Sequence, residues 1–507
     1  MRPAWTFQKG LFFAAVIGAA MFLSFLIDDS LGLGWPTNVV RNWQEFGLIN
    51  LHGQLAYNAG GFGVPEHLQL YKGMSPVCLY LPYVVTKIFS WTGLDTLSFY
   101  ILLALAVSWA SWDLLGKDGF AMVVAAAAIF CPGYMRWLRM LDPNTVSVLP
   151  VLPYAVIALA ILRKPKFTPA LAVALILLTL AYMPLNWTTA WMCGPLIFFL
   201  LGKASLNRRG LSTLIAVMVI GVPAMAAVSF AAKTGGHAGG GRIDPIRVLA
   251  GYTWGNGGYG EGLTTGRAFV RLAFTNGIGL LPLWLAVVYA MTQRLRSGVR
   301  MTWLMFAPLA LAVANMVIMR NYFGHHPWMA GPVLLCGIIF SLGLLREGLE
   351  DGATTVSEKI PFKWVIRTTL LCFGYSLAVL LFFRANETNM LALEKLVRQH
   401  TARSDTLVIL KDSDSATAAL ADRLDEPLDR HMMVLNSTND LAGQEGHWVI
   451  LSSVKMDGPL TLTAESNVSS SSRLNQVSDW FNHSISRRSA GDRLELAEKY
   501  FLYEAAR

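Results

Sequence analysis

The sequence is poor in charge. Only 14% of its 507 residues are Asp, Glu, Lys or Arg, whereas 54% are hydrophobic and the mean hydropathy is +0.46. A soluble globular domain carries about 25% charged residues, so this composition excludes a soluble enzyme as a description of the whole chain. Apolar runs recur along the first three quarters of the sequence. The chain is therefore predicted to be a polytopic membrane protein.

Cysteine is also scarce. The five cysteines lie in apolar segments without any C-x-x-C spacing, and none lies in the C-terminal tail. This pattern excludes a disulfide framework and a cysteine zinc site. The first apolar run lacks a small-residue cleavage site, because Asp28-Asp29-Ser30 occupies that position. We therefore interpret the run as an uncleaved first span.

Basic residues exceed acidic ones only in the apolar part of the chain. Residues 1–383 hold 27 Lys and Arg against 14 Asp and Glu, whereas residues 384–507 hold 14 against 18. The Lys and Arg lie in short loops between apolar runs, where membrane topology explains them. Nucleic acid is therefore not expected as a partner. The division predicts a transmembrane module, 1–383, followed by an extracytoplasmic domain, 384–507.

The run Pro76 to Phe89 decides the predicted topology. If it crosses the bilayer, nine Lys and Arg of later loops lie outside; if it does not, all nine are cytoplasmic. The positive-inside rule favours the second arrangement, with this run in the interface. We predict about eleven transmembrane helices, an interfacial helix in the first outer loop, a cytoplasmic N-terminus and an outer tail. The predicted crossings are 11–27, 97–114, 119–132, 145–162, 168–183, 188–202, 211–231, 275–292, 301–319, 328–345 and 364–383.

The tail is predicted to be a small α/β domain. Asp405 to Leu410, His431 to Leu435 and Trp448 to Ser452 have the composition of strands, and Ala416 to Leu424 has the apolar face of a helix. The tail offers no nucleophile paired with a base and no ligand cluster. A docking or stabilising role is the expectation.

Carboxylates and cations that could do chemistry gather on the predicted outer face. Asp28 and Asp29 end the first span, where a carboxylate can act as a general base. Together with Asp142 they could also bind a divalent cation. An ordinary polar exit from a span explains the Asp pair as well. Metal dependence stays open.

Two further outer loops carry cations suited to phosphate. Arg136 and Arg139 precede Asp142 in a short loop, and arginine binds phosphate through two parallel hydrogen bonds. The turn Arg320 to Pro327 holds Arg320 with His325 and His326. Anchoring at the membrane interface is the alternative for both groups.

The glycine-rich loop Ala232 to Asn276 contains a formal G-x-G-x-x-G match at Gly255 to Gly260. We reject it as a dinucleotide motif, because no strand precedes it and no βαβ unit surrounds it. The loop could be a lid that orders on substrate, with Glu261 as a contact. A merely flexible loop is the alternative.

The order of these motifs resembles a known family. After the Asp pair come Tyr71-Lys72-Gly73-Met74-Ser75-Pro76 and Pro132-Gly133-Tyr134, followed by Arg139 and Asp142-Pro143. This order is similar to that of the GT-C integral-membrane glycosyltransferases, close to the group of protein O-mannosyltransferases and lipid A aminoarabinose transferases. Two details depart from the family pattern: Arg41 lies twelve residues beyond Asp29, and Ser75-Pro76 replaces the usual Pro-Pro or His-Pro.

The resemblance implies a polyprenyl-phosphate sugar donor and an acceptor outside the cytoplasm. The expected location is a bacterial inner membrane. It also implies roles for residues of this sequence. The implied catalytic residues are Asp28 and Asp29. The resemblance together with the arginine chemistry above gives the donor-phosphate candidates Arg136, Arg139, Asp142, Arg320, His325 and His326; the candidate substrate contacts are Arg41, Tyr71, Lys72 and Glu261.

Two other functional classes stay open. A transporter or flippase of lipid-linked glycans would place ionisable groups near the bilayer midplane and often uses paired broken helices. Here the charges gather at one face, which favours an enzyme. A scaffold for envelope assembly would leave the outer loops without a catalytic role.

Overall fold

The structure is a computed structural model, and it divides into two compact units. One unit consists of Met1–Ser24, Leu97–Leu138 and Asp142–Leu377, and the other of Phe25–Thr96, Arg139–Leu141 and Ala378–Arg507. The residues that the structure describes are 3–27, 35–51, 53–55, 77–89, 95–132, 143–203, 206–226, 265–320, 323, 327–347, 360–384, 393, 396–397, 399–402, 405–410, 431–435, 448–452, 461–467 and 499–504.

The described part of the chain is mostly helical. In chain order the helices are α1 (Pro3–Ile27), α2 (Trp35–Asn42), α3 (Val77–Ile88), α4 (Asp95–Leu114), α5 (Gly119–Ile129), α6 (Pro143–Val148), α7 (Val151–Leu162), α8 (Pro169–Tyr182), α9 (Trp187–Trp191), α10 (Cys193–Leu201), α11 (Arg208–Ala216), α12 (Thr265–Gly279), α13 (Leu281–Arg296), α14 (Ala307–Ile318), α15 (Gly331–Leu345) and α16 (Phe362–Arg384). Polar caps fix where several begin. Asp118 accepts a 2.9 Å hydrogen bond from Ala121 N at α5, and Asn207 accepts one of 3.1 Å from Gly210 N at α11.

Three segments of the described chain are long and apolar enough to cross a membrane: Thr145–Leu162, Arg208–Ala226 and Phe362–Leu380. A fourth is a bent pair, Ala268–Gly279 with Leu281–Arg296, whose halves meet at 78°. Other apolar helices are shorter, among them Lys9–Leu23 and Gly331–Leu345. The eleven crossings stay a prediction.

The bent pair adds a break to the sequence-based expectation. The sequence predicts one crossing over 275–292, and the structure shows in addition that the helix ends at Gly279 and restarts at Leu281. The expectation that the loop Ala232 to Asn276 continues to Asn276 is wrong, because α12 already begins at Thr265. A helix break inside a membrane is tolerated where neighbouring groups satisfy the freed backbone.

Helix α15 forms the core of the first unit. Every one of its residues is buried, and it packs against α10, α13 and α14. A Cβ built on Gly337 would lie 2.7 Å from the Cβ of Ala312, so only glycine permits this approach of α14 to α15. The rings of Phe199 and Phe340 stack with centroids 4.7 Å apart. Helix α15 therefore provides a fixed axis for the elements around it.

In the second unit, a buried tryptophan joins α2 to α3. Trp43 is fully buried, with ring centroids 5.5 Å from Tyr80 and 5.8 Å from Tyr83, and its Nε1 donates a 2.8 Å hydrogen bond to Gln54 O. Helix α3 has 12 residues and is about 18 Å long, which is too short for a hydrocarbon core of about 30 Å. Leu81, Val84 and Ile88 form an exposed apolar stripe on it.

The tail contains a five-stranded sheet with strand order β2-β1-β3-β5-β4. Strands β1 (Thr406–Leu410), β2 (His431–Leu435) and β3 (Trp448–Ser452) are parallel and confirm the three predicted strands. Strands β4 (Thr461–Asn467) and β5 (Lys499–Glu504) are antiparallel additions that the sequence pattern did not predict. The predicted helix Ala416 to Leu424 lies outside the described residues.

Candidate functional site

Two of the predicted site residues, Arg41 and Arg320, lie in the described part of the chain. The others stay predictions, because they lie outside it. These are Asp28, Asp29, Tyr71, Lys72, Arg136, Arg139, Asp142, Glu261, His325 and His326.

Arg320 follows the end of α14. Met319 N donates to Asn315 O at 2.9 Å, and Phe323 N donates to Met319 O at 3.0 Å, so the turn is held on both sides of Arg320. The Phe323 side chain is fully buried, whereas Arg320 is half-buried. The Arg320 side chain has no ion pair or hydrogen bond among the residues that the structure describes. An arginine keeps its charge in such a setting and suits a phosphate.

The packing of α14 on α15 fixes the level of Arg320. The two helices run antiparallel, with Leu309 N donating to the Ser341 hydroxyl oxygen at 3.2 Å and Ala312 facing Gly337. Because the helices are antiparallel, the end of α14, six residues after Ala312, lies beside the start of α15, six residues before Gly337. Arg320 therefore lies at the end of the helix pair where the turn Pro327–Ala330 enters α15.

Segments that follow other predicted outer loops also pack at this end. Helix α6 begins directly after Asp142 and packs against α15, where the Cys336 thiol donates to Val148 O at 3.8 Å. Helix α12 follows the glycine-rich loop and packs against the turn Pro327–Ala330, which comes directly after His326. Helix α6, helix α12 and the turn Pro327–Ala330 therefore lie together at one end of α15, and each directly follows a predicted outer loop.

Buried polar groups near these elements were not predicted. Thr145 and Ser147 of α6 are buried, α6 packs against α9, and Thr188 and Thr189 of α9 are buried too. Asn315, one turn before the end of α14, is 2% exposed. Ser147 Oγ, Thr189 Oγ1 and both polar atoms of the Asn315 amide have no hydrogen-bond partner within the described chain. Such groups are normally paired, so these atoms could bind a polar ligand or water. The signal in the sequence is the presence of Asn and Thr within apolar runs.

Arg41 is the last residue of α2 and belongs to the second unit. Its side chain is half-buried and takes part in an interaction. Its neighbours Val40 and Trp43 are buried. Arg41 stays a candidate substrate contact.

A metal centre is not tested by the described residues. They contain no group of three His, Cys, Asp or Glu side chains that could hold a metal ion. The candidate ligands Asp28, Asp29 and Asp142 all lie outside them.

Comparison with known proteins identifies the fold. No protein-family model and no curated protein matches the chain. The structure of ArnT from Cupriavidus metallidurans bound to undecaprenyl phosphate matches with a TM-score of 0.51 and 12% identity, covering 99% of this chain and 98% of that one. The apo state of the same protein gives a TM-score of 0.49 and 11% identity with the same coverage. The chain therefore has the fold of ArnT along nearly its whole length. The predicted resemblance to the GT-C group is confirmed at the level of the fold.

Proposed function

We propose that this protein is an integral-membrane glycosyltransferase that moves a sugar from a polyprenyl-phosphate donor to an acceptor on the extracytoplasmic side. The observation that carries the proposal is the fold match over 99% of the chain to a protein whose structure contains undecaprenyl phosphate. Fold alone does not define chemistry. The half-buried Arg320, with no partner among the described residues, supports a phosphate ligand in particular.

The proposed reaction is a single displacement. Asp28 removes a proton from the acceptor nucleophile, which attacks the anomeric carbon of the donor sugar. The bond between that carbon and the phosphate oxygen breaks, and polyprenyl phosphate leaves with the electron pair. Arg139, Arg320 and His325 offset the charge that builds on the departing phosphate. The resemblance gives Asp142 and His326 supporting roles at the donor site, and Arg136 is added because a guanidinium suits a phosphate.

The buried amide of Asn315 is a further candidate for binding the donor. Its amide is buried within α14, the helix that ends just before Arg320, and has no partner among the described residues. A hydroxyl or phosphate oxygen of the donor would supply the missing hydrogen bond. We therefore assign Asn315 to donor binding.

The proposed topology has eleven crossings, with α3 in the outer interface, a cytoplasmic N-terminus and an extracytoplasmic tail. The short length of α3 and its exposed stripe of Leu81, Val84 and Ile88 support an interfacial position. In this topology the nine Lys and Arg of the later loops lie on the cytoplasmic face, as the positive-inside rule requires. The proposed location is a bacterial inner membrane.

A transporter or flippase of lipid-linked glycans is the second candidate. The 78° break between α12 and α13 favours it, because transporters build midplane sites from broken helices. The two functions differ in chemistry, since a transporter moves the lipid-linked sugar intact.

An assay with purified full-length protein distinguishes the two candidate functions. The protein is incubated with undecaprenyl-phosphate-linked sugars and an extract of envelope acceptors, and release of undecaprenyl phosphate is measured. The wild type should release it only with acceptor present, and Asp28→Asn should abolish release while the protein still inserts and folds. Glu504→Gln, at the end of β5, is the carboxylate control and should keep full activity. Intact donor moving across proteoliposomes, with no release, would contradict the enzyme.

A further inference from the structure

A second polar site lies at the opposite end of α15 from Arg320. A cavity of about 270 Å³ opens there, and we call it the basic pocket. Four cationic side chains line it, and three of them form ion pairs, with Asp113, Asp118 and Glu347, so the excess positive charge is that of Arg163. The charged lining residues are Asp113, Lys117, Arg163, Lys203, Arg346 and Glu347.

Two of the cations form a fixed wall. Lys203 Nζ lies 3.0 Å from Gly343 O and 2.5 Å from a Glu347 carboxylate oxygen, and its side chain is only 6% exposed. Arg346 donates two hydrogen bonds to Asp118, at 3.2 and 2.5 Å. Both side chains are ordered by their carboxylate partners, so they shape the wall of the pocket and do not have to be immobilised when a ligand binds.

The other two cations lie at the mouth. Arg163 caps the end of α7, is exposed, and has no side-chain hydrogen bond or ion pair among the described residues. Lys117 has a φ of 62°, a left-handed conformation that lysine seldom adopts. Its backbone N–H donates to Trp112 O at 3.0 Å, and its ammonium lies 2.5 Å from Asp113. The mouth thus offers a guanidinium that is unpaired within the described part of the chain, and its fork matches a phosphate.

An apolar stripe leads from the basic pocket along α4. Leu102, Leu105 and Trp109 are 43%, 42% and 46% exposed, and their spacing puts them on one helix face. Asp113 continues that face one turn later, at the pocket. Pockets for small ligands usually have volumes of at least about 300 Å³, and the volume of this cavity is slightly smaller. The cavity suits a headgroup, with an acyl chain outside on the stripe.

We propose that the basic pocket binds the phosphate headgroup of an anionic membrane phospholipid such as phosphatidylglycerol. The acyl chain lies along Leu102, Leu105 and Trp109. Basic pockets between transmembrane helices on the cytoplasmic side bind such headgroups through the same chemistry. The site is distinct from that of glycosyl transfer, and its test does not depend on the proposed function.

Lipid retention measures this site directly. Full-length protein is taken from nanodiscs containing equal amounts of phosphatidylglycerol and phosphatidylcholine, and its bound lipid is counted by native mass spectrometry. The wild type should retain phosphatidylglycerol in preference. Arg163→Gln should retain about five-fold less, and Arg163→Glu less still. Arg296→Gln is the matched control, because it removes an exposed arginine that does not line the pocket, and it should behave as wild type.

Several results would overturn the proposal. One is equal retention of the two lipids by the wild type, and another is the same loss in Arg163→Gln and Arg296→Gln. Displacement of phosphatidylglycerol by millimolar inorganic phosphate would show a soluble phosphate site instead. Lys117→Asn gives a second measure, since Asn tolerates the left-handed region. It should also lower retention about five-fold without lowering the melting temperature, and full retention would contradict the site.

Discussion

The hydroxyl of Tyr375 donates a 2.7 Å hydrogen bond to the carbonyl oxygen of Ile278. Ile278 lies at the end of α12, just before the break at Leu280, so helix α16 satisfies a carbonyl in the broken region. Trp284 Nε1 adds a 3.3 Å hydrogen bond to Asn276 O from the other side of the break. Side chains from α13 and α16 therefore stabilise the 78° bend.

Replacing Tyr375 with Phe should destabilise this bend. The substitution keeps the ring but removes the donor to this carbonyl, and because the hydrogen bond is only part-buried the cost is about 1 kcal/mol. We expect a lower melting temperature of the detergent-solubilised protein for Tyr375→Phe. Tyr289→Phe is the control, because that tyrosine is 44% exposed and stacks on Phe120 through its ring. An equal melting temperature for Tyr375→Phe and wild type would contradict the role of the hydroxyl.

Arg320→Gln should lower turnover by about 100-fold, the cost of removing one charge-stabilising donor from a reacting phosphate. Its melting temperature should match that of the wild type, because the Arg320 side chain has no partner among the described residues. Arg320→Lys should recover part of the activity, since the charge remains but the fork is lost. Release of undecaprenyl phosphate is the measurement, with Arg296→Gln as the control. Full turnover in Arg320→Gln would remove this residue from the phosphate site.

Hydrophobic patterning predicts much of the fold but not the bend between α12 and α13. The parallel strands β1 and β3 are buried on both faces, so they appear in the sequence as short apolar runs bounded by polar residues. Strand β4 has the polar sequence Thr-Leu-Thr-Ala-Glu-Ser-Asn, which lacks such a run and therefore escapes prediction. The break at Leu280 does have a sequence signal, since Gly279 precedes it and Pro282 follows it, but apolar content alone does not reveal that signal.

The candidate site was predictable only in part, for a physical reason. Charged residues in outer loops stand out against an apolar background, which is how Arg320 was found. Asn315 and Thr189 are short polar residues within apolar helices, and such residues often bond to their own backbone. Only the packing around them reveals that their polar atoms lack partners.

Asn315→Leu tests whether that amide binds donor. The amide has no hydrogen bond within the described chain, so an apolar side chain of similar volume should keep the melting temperature or raise it. Donor affinity should fall, with a KM for the polyprenyl-linked sugar about five-fold higher. Ser376→Ala is a control, because its hydroxyl is also buried and unpaired within the described chain, but belongs to α16. A lower melting temperature with an unchanged KM would show that Asn315 is structural.

The orientation of α3 relative to the bilayer can be determined by measuring the membrane depth of labels placed along its exposed stripe. Leu81→Cys, Val84→Cys and Ile88→Cys are each labelled with a nitroxide, since the five native cysteines are all buried. A helix lying in the interface carries the three labels at nearly equal depth, as judged from collisions with oxygen and with a water-soluble relaxation agent. A crossing helix would separate the labels at Leu81 and Ile88 by about 10 Å of depth, seven residues at 1.5 Å each. We expect equal depths, because α3 spans only Val77–Ile88 and exposes apolar side chains along one face. A 10 Å gradient would make α3 a crossing, reverse the sides of all later loops, and move Arg320 to the cytoplasmic face.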